Sequence, residues 1–414
     1  MTPDLDDPRL LLTDAVLDNP YPLYDYLRRE APVCQLAGQD SFLVVDPALI
    51  RDVVSRPGDF SSNLVSVLHL GGTGGLAAFD MVPFGDPTHV LATADPPAHT
   101  RHRKLLQSHL SPAALNELTP SIRQIVDAQL RPLLAAGEGD FVAGFSDPIP
   151  ALAICVVLGL PPTDAPSLVR LVSGIGLLLD GVSDVDDMER ASAAALELLI
   201  YARDHTDAAR QRVAGRGHGL LGVLADATDS GVISADEAQY LLVLLINAGT
   251  ETTSSLLATA VRTLASRPEL QDELRANPTC IADAIEELLR DEGPFQFHYR
   301  WTPSDTTIGK TSIPANSRVL LMWAAADRPS SVEPIDQNSE RLVRGPAPHF
   351  AFGRGMHFCI GAHLARLEAT IALERLLSRT SAFSLDPDHP PIRRPSISLR
   401  RHLSLPIRLV ASQK

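Results

Sequence analysis

Apolar residues recur along most of the chain at the three- and four-residue spacing of amphipathic helices. This spacing predicts helices over residues 21–30, 47–55, 119–135, 149–159, 164–180, 188–213, 218–227 and 279–291. Residues 41–46 form a short apolar run, and β-branched residues alternate with turn residues over 299–323, which indicates short strands. We therefore expect a mainly α fold with small antiparallel β-sheets.

The longest predicted helix begins at a capping box, residues 234–237, and continues without proline as far as Pro268. Around 241–246 its sequence is apolar on all sides, which is typical of a helix buried on every face. The segment 70–87 is different, because it is rich in glycine and proline and has little periodicity. We expect a long functional loop there.

Composition narrows the classes of function. The chain has 36 Lys and Arg against 50 Asp and Glu, a net charge of −14, which does not suit binding to nucleic-acid phosphates. The N-terminus lacks the basic start and apolar core of a secretory signal, and no run reaches the ~18 apolar residues of a membrane span. The sequence shows no linker, so we expect a single cytoplasmic domain over 1–414 without a membrane or nucleic-acid partner.

The segment FAFGRGMHFCIGAHL, residues 350–364, places Cys359 among glycines at the start of a periodic helix. A thiolate there faces unpaired N–H groups and the positive end of the helix dipole. The pattern Phe352-x-x-Gly355-x-x-x-Cys359-x-Gly361 resembles the haem-ligand signature of the cytochrome P-450 family. The resemblance implies the cytochrome P-450 fold, with Cys359 as the metal ligand and Phe352 and Gly361 beside the cofactor. That cofactor is haem b (iron protoporphyrin IX), since the chain has no CxxCH for covalent attachment.

The middle of the long helix reads NAGTETT, residues 247–253. Glycine and repeated threonine are poor helix formers, so local opening of the helix is expected there. The stretch resembles the family's alanine-glycine-x-acid-threonine motif. The resemblance implies that Thr252 hydrogen-bonds dioxygen, that Glu251 relays protons, and that Ala248 and Gly249 leave space for dioxygen beside the cofactor.

Glu287 and Arg290 are three residues apart on one helix face and resemble the family's ExxR element, a structural ion pair. Two nearby stretches depart from the family pattern. Asp327 stands where asparagine is expected, and residues 338–341 replace an aromatic-containing meander. It therefore stays open which residue completes the Glu287–Arg290 network.

The two propionates of haem need cationic or donor partners. By the same resemblance, the candidates are His99, Arg103, Arg300 and His357. His99 and Arg103 are four residues apart and share a helix face.

The resemblance also predicts a substrate pocket lined by the loop at about 64–91, the middle of the long helix, and residues 295–298. The candidate lining residues are Leu64, Leu68, Phe79, Met81, Phe84, Val90, Phe295, Phe297 and His298. Such a lining fits a small apolar organic substrate.

Taken together, these features predict a haem-thiolate monooxygenase, an oxidoreductase that inserts one atom of dioxygen into its substrate by hydroxylation or epoxidation. Only a short segment follows Cys359, so we expect electrons from a separate ferredoxin and ferredoxin reductase. Two alternatives stay open: a haem-thiolate protein with peroxide-driven or oxygen-independent chemistry, and a haem protein that binds ligands without turnover. The Glu251-Thr252 pair favours the monooxygenase, because it suits proton delivery to dioxygen.

Overall fold

Helices form most of the protein, which we describe from a computed structural model covering residues 3–72, 74–81, 88–211, 219–328 and 347–412. The helices are α1 (Asp14–Asp18), α2 (Tyr21–Glu30), α3 (Pro47–Ser55), α4 (Ala98–Leu106), α5 (Pro112–Asn116), α6 (Thr119–Ala136), α7 (Pro148–Leu158), α8 (Ala165–Gly176), α9 (Val185–Arg210), α10 (Gly219–Asp229), α11 (Ala235–Ala265), α12 (Pro268–Ala276), α13 (Ile281–Asp291), α14 (Trp323–Asp327) and α15 (Ala362–Arg379). The mainly α fold predicted from the apolar spacing is confirmed.

The strands are short. They are β1 (Val33–Gln35), β2 (Ser41–Val44), β3 (Ser66–Leu70), β4 (Leu76–Asp80), β5 (Glu138–Asp140), β6 (His298–Trp301), β7 (Thr306–Ile308), β8 (Thr311–Ile313), β9 (Arg318–Leu321), β10 (Thr380–Leu385), β11 (Ile392–Arg393), β12 (His402–Ser404) and β13 (Pro406–Ala411). The largest sheet has the order β1-β2-β9-β6, and a second has the order β10-β13-β5. The pairings are antiparallel apart from β2 with β9, which is parallel within the part of the chain that is described.

Helix α11 runs through the core, as its sequence predicts. Ser234 and Glu237 form the expected capping box: the Ser234 hydroxyl accepts from the Glu237 N–H at 3.0 Å, and the Glu237 carboxylate accepts from the Ser234 N–H at 2.7 Å. The helix is long and apolar enough to cross a membrane, yet 67% of its most apolar stretch is buried inside the protein. This burial is what a core helix shows.

One apolar cluster joins the helices around α11. It includes Leu130 of α6, Ile154 of α7, Leu198 of α9, Leu257 of α11 and Leu373 of α15, all of them buried. Removing such side chains from water is the main stabilising contribution to the fold. The cluster fixes α11 and α15 relative to each other, and both helices carry residues of the predicted site.

The loop predicted over 70–87 is wrong for residues 70–80, which belong largely to two strands, and residues 82–87 lie outside the described part of the chain. Strands β3 and β4 form an antiparallel hairpin in which His69 pairs with Ala77. Arg318 donates to the Ser66 hydroxyl at 2.9 Å, and the Leu68 N–H donates to the Tyr299 hydroxyl at 3.0 Å. These contacts attach the hairpin to the largest sheet. The prediction of a loop was wrong for this stretch because pairing between the two strands and hydrogen bonds to distant residues, not local periodicity, determine its structure.

Candidate functional site

The loop before α15 shapes the surroundings of Cys359. Gly353 and Gly355 have φ angles of 69° and 72°, in the left-handed region that residues with a Cβ rarely adopt. The Cys359 N–H donates to the Phe352 carbonyl at 2.9 Å. A Cβ at Gly355 would lie 3.3 Å from the carbonyl oxygen of Val54. Backbone geometry and close packing therefore both require glycine in this loop.

The sulfur of Cys359 lies beside the N-terminus of α15. The side chain is exposed to a cavity, and its enclosure by the surrounding protein raises the pKa of the thiol, whereas the Gly361 N–H acts in the opposite direction. The guanidinium groups of Arg103 and Arg366 and the N–H of Ala362 also favour the thiolate. The helix begins at Ala362, three residues later than predicted. Cys359 thus occupies the turn before the helix, where unpaired N–H groups can stabilise a sulfur anion.

A cavity of about 240 Å³ opens next to this sulfur. It is lined by twelve of the residues predicted from the sequence: His99, Arg103, Ala248, Gly249, Thr252, Phe295, His298, Arg300, Phe352, His357, Cys359 and Gly361. Further lining residues that the sequence did not single out include Leu91, Ala92, Ile154, Val157, Leu220, Leu244, Leu245, Leu256 and Trp323. Residues far apart in the chain therefore meet around one largely apolar space.

Helix α11 contributes Ala248, Gly249 and Thr252 to the cavity wall. The Thr252 hydroxyl donates to the Ala248 carbonyl at 2.9 Å. Helix α11 continues without interruption through this turn, so the local opening expected from the sequence was wrong. A Cβ at Gly249 would lie 2.8 Å from Cδ1 of Ile154. Glycine is therefore needed there for α7 to pack closely against α11, and it also keeps the wall free of a side chain.

Glu251 is placed differently from Thr252. It is buried and does not belong to the described cavity lining. Its carboxylate accepts from Arg394 at 2.8 Å and from Arg401 at 2.9 Å, and Arg401 also donates to Asp147 at 2.8 Å. A buried charge needs such partners. The network joins the middle of α11 to the C-terminal segment that carries both arginines.

The four predicted propionate partners come together at the cavity. The ring centroids of His99 and His357 are 4.3 Å apart, and Nε2 of His357 lies 2.9 Å from the Ser62 hydroxyl. Burial, together with the neighbouring Arg300, lowers the pKa of His357 to about 3. Burial also lowers the pKa of Arg300 to about 10, while the carboxylate of Asp95 acts in the opposite direction without forming a described salt bridge with it. This set has cationic and donor capacity that the described protein leaves unused.

The cavity contains polar groups and a sulfur donor of the kind that a haem requires. Nε2 of His99 is buried and has no hydrogen-bond partner among the described residues. Arg300 is a buried cation that forms no described salt bridge, so a carboxylate of a bound group would pair with it and would accept from Nε2 of His99 in the imidazolium form. Cys359 provides a soft sulfur donor in the same cavity. The residues present fit a haem with two propionates.

Glu287 and Arg290 form a fully buried ion pair on α13, with 2.9 Å between Nε and the carboxylate. Arg290 also donates to the backbone carbonyl of Asp327 at 3.1 Å, and Glu287 accepts from the Ala347 N–H at 2.8 Å. The pair therefore joins α13 to the segments on either side of residues 329–346. Those residues, which include the departure at 338–341, lie outside the described part of the chain.

The predicted pocket is only partly reproduced. Phe295 and His298 line the cavity, whereas Leu64, Leu68, Phe79, Met81, Val90 and Phe297 do not belong to its described lining, and Phe84 lies outside the described residues. Leu68 and Phe297 are buried in a separate apolar cluster, and Val90 is buried in the helical core. The ring of Phe79 packs edge-on against His69 within the hairpin, with centroids 5.8 Å apart. The hairpin pairing thus directs this segment away from the cavity.

Two contacts orient His298 in the cavity wall. Its Nδ1 accepts from the indole N–H of Trp323 at 2.7 Å, and its ring centroid lies 4.8 Å from that of Phe295. The ring is exposed to the cavity, and its enclosure by the surrounding protein, with a further contribution from Arg300, lowers the pKa of His298 to about 4. The ring is therefore neutral near pH 7 and carries its proton on Nε2. Only the Trp323 contact, which the sequence does not reveal, identifies this tautomer.

The comparisons with known proteins agree with the site. The cytochrome P450 family model matches residues 203–406. Cytochrome P450 144 of Mycobacterium tuberculosis is 39% identical over 88% of this chain and 83% of its own. The vitamin D(3) 25-hydroxylase of Pseudonocardia autotrophica is 32% identical over 89% of this chain and 88% of its own. The crystal structure of CalO2 superposes with a TM-score of 0.82 at 27% identity, covering 97% of this chain and 98% of that one.

The chain belongs to the cytochrome P450 family. It has the family's fold, and it is an oxidoreductase that binds haem b and carries out haem-thiolate monooxygenase chemistry with dioxygen and a redox partner. The resemblance inferred from three short motifs is therefore confirmed at the level of family, fold and cofactor.

Proposed function

We propose that this protein inserts one atom of dioxygen into a small apolar organic substrate, by hydroxylation or epoxidation, with Cys359 as the iron ligand. The observation that carries this proposal is the convergence of Cys359, the α11 turn with Thr252, and the basic set on one cavity. The overall reaction also consumes two electrons and two protons, and it releases the second oxygen atom as water.

The basic set would hold the cofactor. His99, Arg103, Arg300 and His357 would bind the propionates, while Phe352 and Gly361 would lie beside the sulfur ligand. Backbone hydrogen bonds form the turns of the glycine-rich loop and hold Cys359 in place. Glu287 and Arg290 would support this loop from α13 without touching the substrate.

When bound, the haem supplies the iron at which dioxygen is activated. The protein must bring protons to that point and exclude bulk water. Thr252 has a hydroxyl in the cavity wall, and Glu251 is the residue directly before it on the helix. We propose that protons from solvent reach Glu251, whose carboxylate Arg394 and Arg401 orient, and pass from it to Thr252 through water. Ala248 and Gly249 would leave the room that dioxygen needs.

An apolar substrate is supported by the lining of the cavity. Leu91, Ile154, Val157, Leu244 and Leu245 all contribute to its wall. Such a wall favours hydrocarbon surface, because burying that surface stabilises a complex by about 25 cal/mol per Å². A relative is named a vitamin D(3) 25-hydroxylase, which makes vitamin D3 the first compound to test. We propose a ferredoxin and its reductase as electron donors, a single domain over 1–414 and a cytoplasmic location.

The first test is the difference spectrum of the dithionite-reduced, haem-loaded protein with carbon monoxide. Thiolate ligation predicts a band near about 450 nm. Cys359→Ser should lose this band, while Cys280→Ser, a half-buried cysteine outside the cavity lining, should keep it. A band near about 420 nm in the wild type, or no haem band, would overturn the assignment of Cys359.

The second test uses isotopically heavy dioxygen with a ferredoxin, its reductase and NADPH. Monooxygenation predicts a product that carries one heavy oxygen atom, formed only when all components are present. Product formed with hydrogen peroxide alone, at an equal rate, would favour the peroxide-driven alternative. Ligand binding without product in any assay would favour a binding protein.

A further inference from the structure

His102 links three segments around the cavity. It lies on α4 and is fully buried, and its Nδ1 accepts from the backbone N–H of Leu91 at 3.2 Å. Its Nε2 lies 2.9 Å from the carboxylate of Glu237 on α11. Because Nδ1 is the acceptor, the neutral ring carries its proton on Nε2 and donates it to Glu237. Both nitrogens of the ring are therefore in use.

The hydrogen bond to His102 stabilises an uncommon backbone conformation of Leu91. Its φ angle is 36°, in the left-handed region that a leucine rarely adopts. It is 6% exposed, and it lines the cavity together with Ala92. A buried N–H without a partner is costly, so the hydrogen bond to His102 stabilises a backbone conformation that leucine would otherwise avoid. His102 itself does not belong to the described lining.

Glu237 fixes the other side of the imidazole. It accepts from the Ser234 N–H at 2.7 Å, and it also forms an ion pair with Arg101. Burial acts against the charged form, but Ser234, Arg101 and His102 together lower the pKa of Glu237. Its carboxylate thus remains an acceptor for the His102 ring. The result is a continuous chain of contacts from the start of α11 to the cavity wall.

We propose that His102 is a positioning residue for substrate selection: it holds Leu91 in the cavity wall and is itself oriented by Glu237. This inference rests on the proposed use of the cavity for substrate. Through His102, helix α4 would influence the shape of the cavity. This influence is separate from the proposed binding of the propionates by His99 and Arg103.

A matched pair of variants distinguishes the hydrogen bond of His102 to Leu91 from its hydrogen bond to Glu237. His102→Asn keeps an acceptor close to the Nδ1 position, so the bond to Leu91 can re-form. His102→Gln keeps a donor close to the Nε2 position for Glu237 but offers Leu91 no acceptor nearby. The haem-loaded full chain is titrated with imidazole and with 4-phenylimidazole, whose binding shifts the haem absorbance. Only the larger compound reaches the surrounding wall.

In His102→Gln, we expect the affinity for 4-phenylimidazole to fall about tenfold, the equivalent of one lost hydrogen bond. Imidazole affinity should stay unchanged, and His102→Asn should bind both compounds as the wild type does. Equal behaviour of the two variants, or an equal loss for imidazole, would overturn the proposal.

The variant Leu91→Gly provides an independent test, because glycine adopts the φ angle of 36° at this position without strain. In that background, His102→Gln should cause no further loss of 4-phenylimidazole affinity. If neither His102 variant folds, Leu91→Gly alone should still weaken 4-phenylimidazole binding, and unchanged binding would contradict the inference.

The carbon monoxide band at about 450 nm reports separately on the proposed function. Its loss in the wild type would mean that the proposed function, and not only the role of His102, is wrong.

Discussion

The indole N–H of Trp323 donates a 2.7 Å hydrogen bond to Nδ1 of His298, and this contact determines which nitrogen of the imidazole faces other partners. Trp323 is itself stacked on Phe350, with ring centroids 6.2 Å apart. The short helix α14 therefore fixes a residue on strand β6 that lines the cavity. His298 presents a fixed donor to whatever lies in the cavity, at a pH where its ring is neutral.

Trp323→Phe should destabilise the protein through this contact. Phenylalanine keeps an aromatic ring against Phe350 but removes the donor, so we expect the free energy of unfolding to fall by about 1–3 kcal/mol. Urea denaturation of the haem-loaded protein measures this change. His298→Asn is the matched control, since its amide oxygen can still accept from the indole. An equal loss in both variants would show that ring packing, not the hydrogen bond, is responsible.

Asp327→Asn should make stability less dependent on pH. Burial raises the pKa of Asp327 to about 8, and its carboxyl accepts from the Phe350 N–H, a role that an asparagine amide oxygen can also fill. A carboxyl with a raised pKa contributes stability that is present at low pH and is lost as pH rises towards about 8. The variant should therefore gain stability over the wild type as pH rises.

Denaturation at about pH 5.5 and about pH 8.5 measures this difference. The gain should be larger at the higher pH. A variant that is equally destabilised at both values would mean that the charged form of Asp327 is required, for example beside Arg290.

Thr252→Ala should uncouple the reaction without loss of haem. The hydroxyl of Thr252 bonds to the Ala248 carbonyl within the helix, so its removal leaves the fold intact. We expect reducing equivalents to appear as hydrogen peroxide instead of product, because proton delivery loses its last group. The ratio of peroxide to product per NADPH consumed measures this effect. Thr252→Ser keeps the hydroxyl and should remain coupled; full coupling in the alanine variant would disprove the role.

Glu251→Gln should reduce both activity and stability. Removing one charge of a buried ion-pair network costs about 3–5 kcal/mol, since Arg394 and Arg401 keep their charges. Product formation should fall by about 100-fold if Glu251 relays protons. Glu197→Gln is the control, because the ion pair of Glu197 with Arg170 is exposed. Normal turnover in a destabilised Glu251 variant would limit Glu251 to a structural role.

Much of the candidate site could be predicted from the sequence, because its functional residues lie in short segments. The glycines around Cys359 and the turn Ala248–Thr252 are local patterns with a local physical reason, and the structure brings both segments to one cavity. The prediction of the pocket was wrong where it depended on contacts between residues far apart in the chain. Leu68 has a neighbour in Tyr299 only because a hairpin pairs and docks on a sheet, and no local spacing encodes that contact.

The sequence by itself determined the helical class of the fold, the position of the long buried helix and the loop of Cys359, since periodicity and glycine backbone freedom act over a few residues. Only the tertiary structure decided which groups meet. It placed Glu251 in a network with Arg394 and Arg401 outside the described cavity lining, and it fixed Leu91 through His102. Both arrangements depend on the burial of polar groups that must find partners far away in the chain, and packing, not local pattern, selects those partners.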